Sequence, residues 1–412
     1  MSKKERWDAR GLTSVVITWG FAFLPANLIP ALIARLVNDF GMSVTWAGAL
    51  ATGMMLVNSA TVILMRGWLS RHNRTPVAGA GVLTLIVVAG LGILFPGSAM
   101  FTALLLVSGV GSGLVLGAAS ASISGMGDPD RSANIAMIFN RLIVAVAYFT
   151  LPLIGGSMTA VLLVLAVPGV VVLATVAWLP KPPPQTEESP SPEPLPGVKV
   201  APKSIGGLAW IMAICFGAVA ITDDGVVGMA EIIAISRFGD DGSGLFLNMY
   251  AIATLGGLCG AVLAPLLTKV LSRAGALAAA LVTSLIAKIM MLITAGEALY
   301  AGAVVVWGFA FGLSLPLVFG LAAVLKRDGS ASVAVNGVYI LGVALGPVIA
   351  AQLYDFGEET LLAWVMGAVG ALAVVIIIVV AAQIERQPHL AEAGVPMGVK
   401  APASAGASNG ET

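Results

Sequence analysis

The chain has 412 residues, 58% of them hydrophobic and 10% charged, with 21 Lys plus Arg balanced by 21 Asp plus Glu. A soluble domain carries about 25% charge, so with a mean hydropathy of +0.99 water is excluded as the main solvent, and the charge balance gives no argument for a nucleic-acid partner. Cys215 and Cys259 both fall in apolar runs, where both are expected to be buried, and exclude a disulfide framework or a cysteine metal cluster, while His72 and His389 lie in loop and tail sequence.

A bilayer core takes about 20 apolar residues per helix. On that length the sequence predicts membrane helices near residues 12–36, 45–66, 77–96, 99–124, 133–156 and 159–179, numbered 1 to 6. Helices 7 to 12 follow near 206–236, 243–268, 276–296, 298–325, 333–354 and 360–384. The first run is too long for a cleaved signal core and is read as a retained helix. Residues 1–11 form a polar N-tail, 180–205 a Pro-rich solvated linker between two six-helix bundles (12–179 and 206–385), and 386–412 a disordered tail. The fold class expected is therefore an all-α membrane protein.

Basic residues sort to one side. Lys3, Lys4, Arg6 and Arg10 precede helix 1, Arg66, Arg71 and Arg74 lie around the 2–3 loop, and Lys181, Lys199 and Lys203 are in the linker. Lys269, Arg273, Lys326, Arg327, Arg386 and Lys400 continue the pattern. The opposite side carries Arg35 and Arg237 among Asp39, Asp240, Asp241, Glu297, Asp355, Glu358 and Glu359. By the positive-inside rule both termini and the linker are expected in the cytoplasm, with the protein multi-pass in the plasma membrane.

The two halves echo each other at an offset near 200. Phe40-Gly41 matches Phe238-Gly239, Leu69-Ser70-Arg71 matches Leu271-Ser272-Arg273, and Gly113-Leu114-Val115-Leu116 matches Gly312-Leu313-Ser314-Leu315. LPLIGG, ending at Gly156, is echoed by GPVIAA, ending at Ala351. Six helices repeated in parallel place a ligand site at the repeat interface.

With these motifs residues 10–385 resemble the major facilitator superfamily. Its 2–3 loop signature, near G-x-L-x-D-R-x-G-R-R, is met by Gly67, Leu69, Ser70, Arg71, Asn73 and Arg74, with the signature Asp missing. The antiporter motif of helix 5, G-x3-G-P-x2-G-G, keeps Pro152, Gly155 and Gly156, with Ala147 and Leu151 in place of its first glycines. The resemblance implies two rocking bundles, a gating loop of Gly67, Arg71, Arg74 and its repeat Arg273, and a cavity lined by helices 1, 5 and 10.

Charges within a span are costly and commonly functional. Asp223 and Asp224 of helix 7 are expected in the outer third of the membrane, beside a break matching Pro25-Ala26-Asn27 of helix 1, as proton-coupling residues; exposure to water at a broken helix end is the bland alternative. Arg141, eight residues into helix 5, is the candidate anchor for a substrate anion, too far in depth for a static pair with Asp223. Asn27, Asn140 and Asn336, with Trp19 and Trp307, are candidate substrate contacts; Asn58 is a further polar group. Lys288 is expected to pack or snorkel, and Glu231 to face solvent. Trp46, Trp68, Trp178, Trp210 and Trp364 fit an interfacial belt.

No Gly-Lys dipeptide occurs, so no Walker A loop supports ATP-driven pumping. Ser122-Ile123-Ser124-Gly125 has no membrane histidine to serve as base, and enzymatic activity is not expected. The expectation is a monomeric secondary transporter with no cofactor and no metal, moving a small molecule (an organic anion) with protons. Efflux of amphipathic or cationic compounds is the alternative, and a non-transporting sensor a third reading.

Overall fold

The computed structural model describes residues 9–69, 72–124, 126, 129–180, 207–325 and 330–386. Eleven continuous apolar segments are long enough to cross a membrane. The last, Ala334–Glu385, has 52 residues, more than twice the ~20 a bilayer needs. It is kinked at Gly357 (φ −156°) and Glu358 (φ +53°, ψ −153°), so it is two helices, and the described chain has twelve helices of crossing length. We label them α1 (Ala9–Asn38), α2 (Val44–Leu69), α3 (Thr75–Leu94), α4 (Ser98–Ser124), α5 (Pro129–Leu153) and α6 (Met158–Trp178). The second six are α7 (Gly207–Phe238), α8 (Asp240–Val270), α9 (Arg273–Ile293), α10 (Glu297–Leu325), α11 (330–356) and α12 (359–385). All-helical construction follows from the solvent, because in hydrocarbon every backbone N–H and C=O must find its partner within the chain.

Twelve crossings put both ends of the described chain on one side, called here the terminus side; the other is the distal side. Short distal turns use left-handed backbone at Gly41, Gly155, Gly156 and Gly239, where a side chain would meet the carbonyl. The α6 N-terminus is capped twice, by the Asp39 carboxylate on Met158 N (2.8 Å) and by the Ser157 hydroxyl on Ala160 N. Such caps occupy helix-end N–H groups that no intrahelical carbonyl reaches.

The repeated glycines perform the same task in each half. A Cβ on Gly113 would strike Asn58 and Thr61 of α2, and one on Gly312 would strike the Gly257 backbone of α8. Thus α4 lies against α2 as α10 lies against α8, backbone nearly on backbone, as small residues permit. Gly342 and Gly346 of α11 lie on Gly217, Ile221 and Gly225 of α7 in the same way.

The bundles meet through α1–α7, α2–α11 and α5–α8. On the distal side a single buried apolar cluster runs through both bundles, from Phe21, Leu36 and Tyr148 to Val226, Phe246 and Tyr300. On the terminus side the clusters separate: Val15, Leu69, Ala78 and Val176 belong to the first bundle, Met212, Phe216, Val318 and Ile377 to the second. The shape that follows is a pair of bundles joined distally and divided toward the termini.

Several sequence expectations differ from this structure. The α7 helix is continuous through Asp223-Asp224-Gly225, whereas α1 is interrupted at Phe23 and Leu28, beside Pro25 and Pro30. Glycine lowers helix stability, but proline removes a hydrogen bond and clashes with the preceding turn. Cys259 is exposed rather than buried. Glu231 is fully buried, for the reason given below. Trp46, Trp68, Trp178, Trp210 and Trp364 are all exposed. The linker 181–205 and the tail from 387 lie outside the described residues, as does Arg71.

Candidate functional site

Consecutive residues of a helix point about 100° apart, and this separates the two carboxylates of α7. Asp223 turns toward α9 and α10 and is 3% exposed. Its Oδ1 accepts from Lys288 Nζ (2.7 Å), Trp307 Nε1 (3.1 Å) and Ser284 Oγ (3.3 Å). Lys288 also donates to Thr222 Oγ1 at 2.8 Å. Snorkelling is therefore not what Lys288 does: it is 3% exposed and its ammonium is matched by a carboxylate and a hydroxyl. Equal depth was the available signal, since Asp223 lies sixteen residues after Gly207 and Lys288 fifteen after Arg273, on helices rising from the same side.

Asp224 is half-buried on the α7 stripe of Ala218, Ile221 and Asp224. Among the described residues no cation comes within 4.0 Å of it; the charges acting on it are Asp223, Lys288 and Arg141. Arg141 also has no carboxylate within that distance among the described residues. Its guanidinium lies over the Phe311 ring, 5.7 Å from the centroid, an arrangement favoured by the ring quadrupole. Because α5 begins at Pro129, Arg141 is twelve residues in, about 18 Å along the axis, and this deeper position brings it level with the aromatic groups of α10.

Those aromatic groups form an array. Tyr250 (α8) and Trp307 lie 6.1 Å apart at 18°, and Trp307 and Phe311 5.3 Å apart at 21°. Tyr148 of α5 closes on Tyr250 at 4.5 Å from the opposite bundle. Trp19 is half-buried against Phe23 (4.5 Å) and makes no ring contact with this array among the described residues. Asn140 donates to Gly20 O (2.9 Å) and Asn27 to Phe23 O (2.8 Å), so both amides serve the backbone of α1, Asn27 at its break. Tyr148 adds a bond to Asn27 O at 2.7 Å. Asn58 is occupied by Ser112 (2.7 Å), and Asn336 is exposed on α11.

Of the loop residues, Gly67 lies in the last turns of α2 and Arg273 opens α9, where it is exposed. Arg74 precedes α3, is 4% exposed and donates Nε to Leu69 O at 3.3 Å; burial holds its pKa below the ordinary value. It thus ties the end of α2 to the start of α3.

Distally the bundles are joined by groups the sequence had placed in solvent. Glu231, 0% exposed, receives Arg35 Nη2 at 2.8 Å and Ser243 Oγ at 2.7 Å. Asp39 stands 3.8 Å from Arg35. The repeat offset of 198 set by Phe40 and Phe238 puts Glu231 level with Ile33, two residues from Arg35, so opposite charges at matching depth were the signal. Asp355 of α11 accepts from Thr45 of α2, and Arg237 binds Glu359, Met291 O (2.9 Å) and Thr294 O (2.7 Å), pinning α7 to α12 and α9. No group of three metal-ligating side chains occurs among the described residues.

The family model described as Major Facilitator Superfamily matches residues 13–333. No curated protein sequence matches the chain. Solved structures do. A bacterial homologue of the human lysosomal transporter Spinster, inward-facing and occupied, aligns at 14% identity over 92% of this chain and 96% of that one, TM-score 0.63. A mutant of the nucleoside transporter NupG aligns at 11% identity over 90% and 99%, TM-score 0.69. The human organic anion transporter MFSD10 (TETRAN) aligns at 14% over 91% and 100%, TM-score 0.60.

Proposed function

The chain belongs to the major facilitator superfamily, and from that premise we propose that it is a proton-linked secondary transporter of a small organic anion, working by alternating access. The observation carrying this reading is Arg141: a cation between the bundles, on the ring of Phe311, with no carboxylate within 4.0 Å among the described residues. An anionic solute supplies the missing counter-charge. Asp224 faces the same space unpaired and is the proton carrier of this scheme; neutralising it as the solute loads removes repulsion between two negative groups. The terminus side is assigned to the cytoplasm, with the Lys and Arg excess as support, so the structure corresponds to a carrier closed to the exterior. The structurally similar human protein MFSD10, an organic anion transporter, agrees in class.

A second reading draws on the Tyr250–Trp307–Phe311 array beside Asp224: proton-coupled efflux of an amphipathic cation, held by ring faces and the carboxylate. Proteoliposomes containing a pH-sensitive dye, challenged with benzoate or tetraphenylphosphonium, separate the two. Benzoate-driven proton movement that Arg141→Ala and Asp224→Asn each abolish supports the anion reading. Proton movement driven by tetraphenylphosphonium alone, untouched by Arg141→Ala, replaces it with the second.

A further inference from the structure

Lys288 sits on α9, away from the space between the bundles, yet its contacts lead into that space. We propose that Lys288 is a positioning residue: through Asp223 it fixes the indole of Trp307, and through Trp307 the aromatic wall on which Arg141 rests. The inference builds on Arg141 and the aromatic array as the solute site. It adds a division of labour within the Asp223-Asp224 pair, with Asp223 the anchor and Asp224 the proton carrier.

The geometry is continuous. Lys288 Nζ lies 2.7 Å from Asp223 Oδ1, and the same oxygen accepts the Trp307 indole N–H at 3.1 Å and the Ser284 hydroxyl at 3.3 Å. Trp307 lies 5.3 Å from Phe311 at 21°, and Phe311 carries the Arg141 guanidinium. One chain of contacts thus runs from α9 through α7 and α10 to α5 of the other bundle. Asp223 Oδ1 thus accepts three donors, one of them an ammonium, with both residues 3% exposed. Separating the pair leaves an uncompensated charge in a low-dielectric interior. Indole N–H groups seek one acceptor when buried, and here that acceptor is Oδ1, so the charge of Asp223 sets the ring plane. Asp224, turned about 100° around the helix, has none of these ties.

The test uses full-length protein in lipid nanodiscs with Trp307 kept and the other seven tryptophans (eight in all) replaced by phenylalanine. Emission and acrylamide quenching are read on the monodisperse fraction. The expected result is a red shift and stronger quenching in Lys288→Gln, with Lys288→Arg returning both toward the parent. If Lys288→Gln does not fold, the neutral pair Asp223→Asn/Lys288→Gln gives the same reading. In protein with all its tryptophans, that pair is expected to keep benzoate-driven proton flux while its KM rises about tenfold, the worth of one hydrogen bond to a charged group. Trp307 emission and quenching unchanged from the parent overturns the proposal, whether or not benzoate is carried. Loss of proton flux at saturating benzoate in the neutral pair also overturns it, by making Asp223 the carrier. Flux that survives Asp224→Asn overturns instead the assignment of the proton to Asp224, leaving the anchoring role to the fluorescence result.

Discussion

Glu231→Gln removes the charge from the α1–α7 contact while keeping its shape. Outright loss of one partner from a buried ion pair costs about 3–5 kcal/mol. The cost here is smaller, because the amide oxygen still accepts and Arg35, 12% exposed, keeps Asp39 at 3.8 Å; about 2 kcal/mol is the reasoned value. The contact spans the two bundles on the distal side, and in the proposed alternating-access cycle it is broken when that side opens. Its weakening therefore moves the equilibrium toward the distally open form, by roughly 30-fold at about 1.4 kcal/mol per factor of ten. Spin labels on cysteines at Met100 of α4 and Leu299 of α10, both exposed and one in each bundle, report the separation by electron-electron resonance once Cys215 and Cys259 are replaced. A new, longer component is expected. Arg35→Gln/Glu231→Gln is expected to return toward the parent, since two neutral groups at such a site cost little relative to the pair. A distance distribution identical in parent and Glu231→Gln refutes the reasoning, as does a double variant more open than the single.

Other outcomes follow from features already described. Gly312→Val drives a Cβ into the Gly257 backbone and is expected to prevent recovery of monodisperse protein, whereas Gly320→Ala, with no atom within 4 Å, is expected to fold and to raise the melting temperature slightly, alanine being about 1 kcal/mol better than glycine inside a helix. Glu358 is the one described non-glycine residue at positive φ, so Glu358→Gly is expected to stabilise the α11–α12 turn by about 1–2 kcal/mol, read as a higher melting temperature in detergent. In proteoliposomes, Arg141→Lys is expected to raise the KM for benzoate more than it lowers kcat, because an ammonium keeps the charge but loses the planar fork; an unchanged KM counts against the anion site.

The membrane spans were legible because hydropathy and helix length are local: all twelve helices lie within a few residues of their expected places. What escaped reading was pairing between distant segments. Lys288 and Glu231 were each judged on their own helix, where a lone charge reads as snorkelling or solvated. Their partners stand 65 and 196 residues away in sequence, and only comparing depth across helices brings them together. The break expected in α7 failed for a different reason. Polar residues and a glycine can interrupt a helix, yet Gly225 serves the approach of α11 instead, with Gly346 O 3.0 Å from where its Cβ would lie.

The division of the apolar interior bears on how small a stimulus can act. Each bundle keeps a private core near the termini, so in the proposed cycle the halves tilt as intact bodies without loosening inside. Only the shared distal cluster has to be exchanged for an equivalent surface at the opposite end. Swapping one greasy contact for another of similar area leaves little net difference in free energy. The preference between the two tilts then falls to a handful of rim contacts, Arg35 with Glu231 and Thr45 with Asp355. A poised seesaw of this kind is tipped by the binding energy of a single small solute, which is what a carrier must be able to feel.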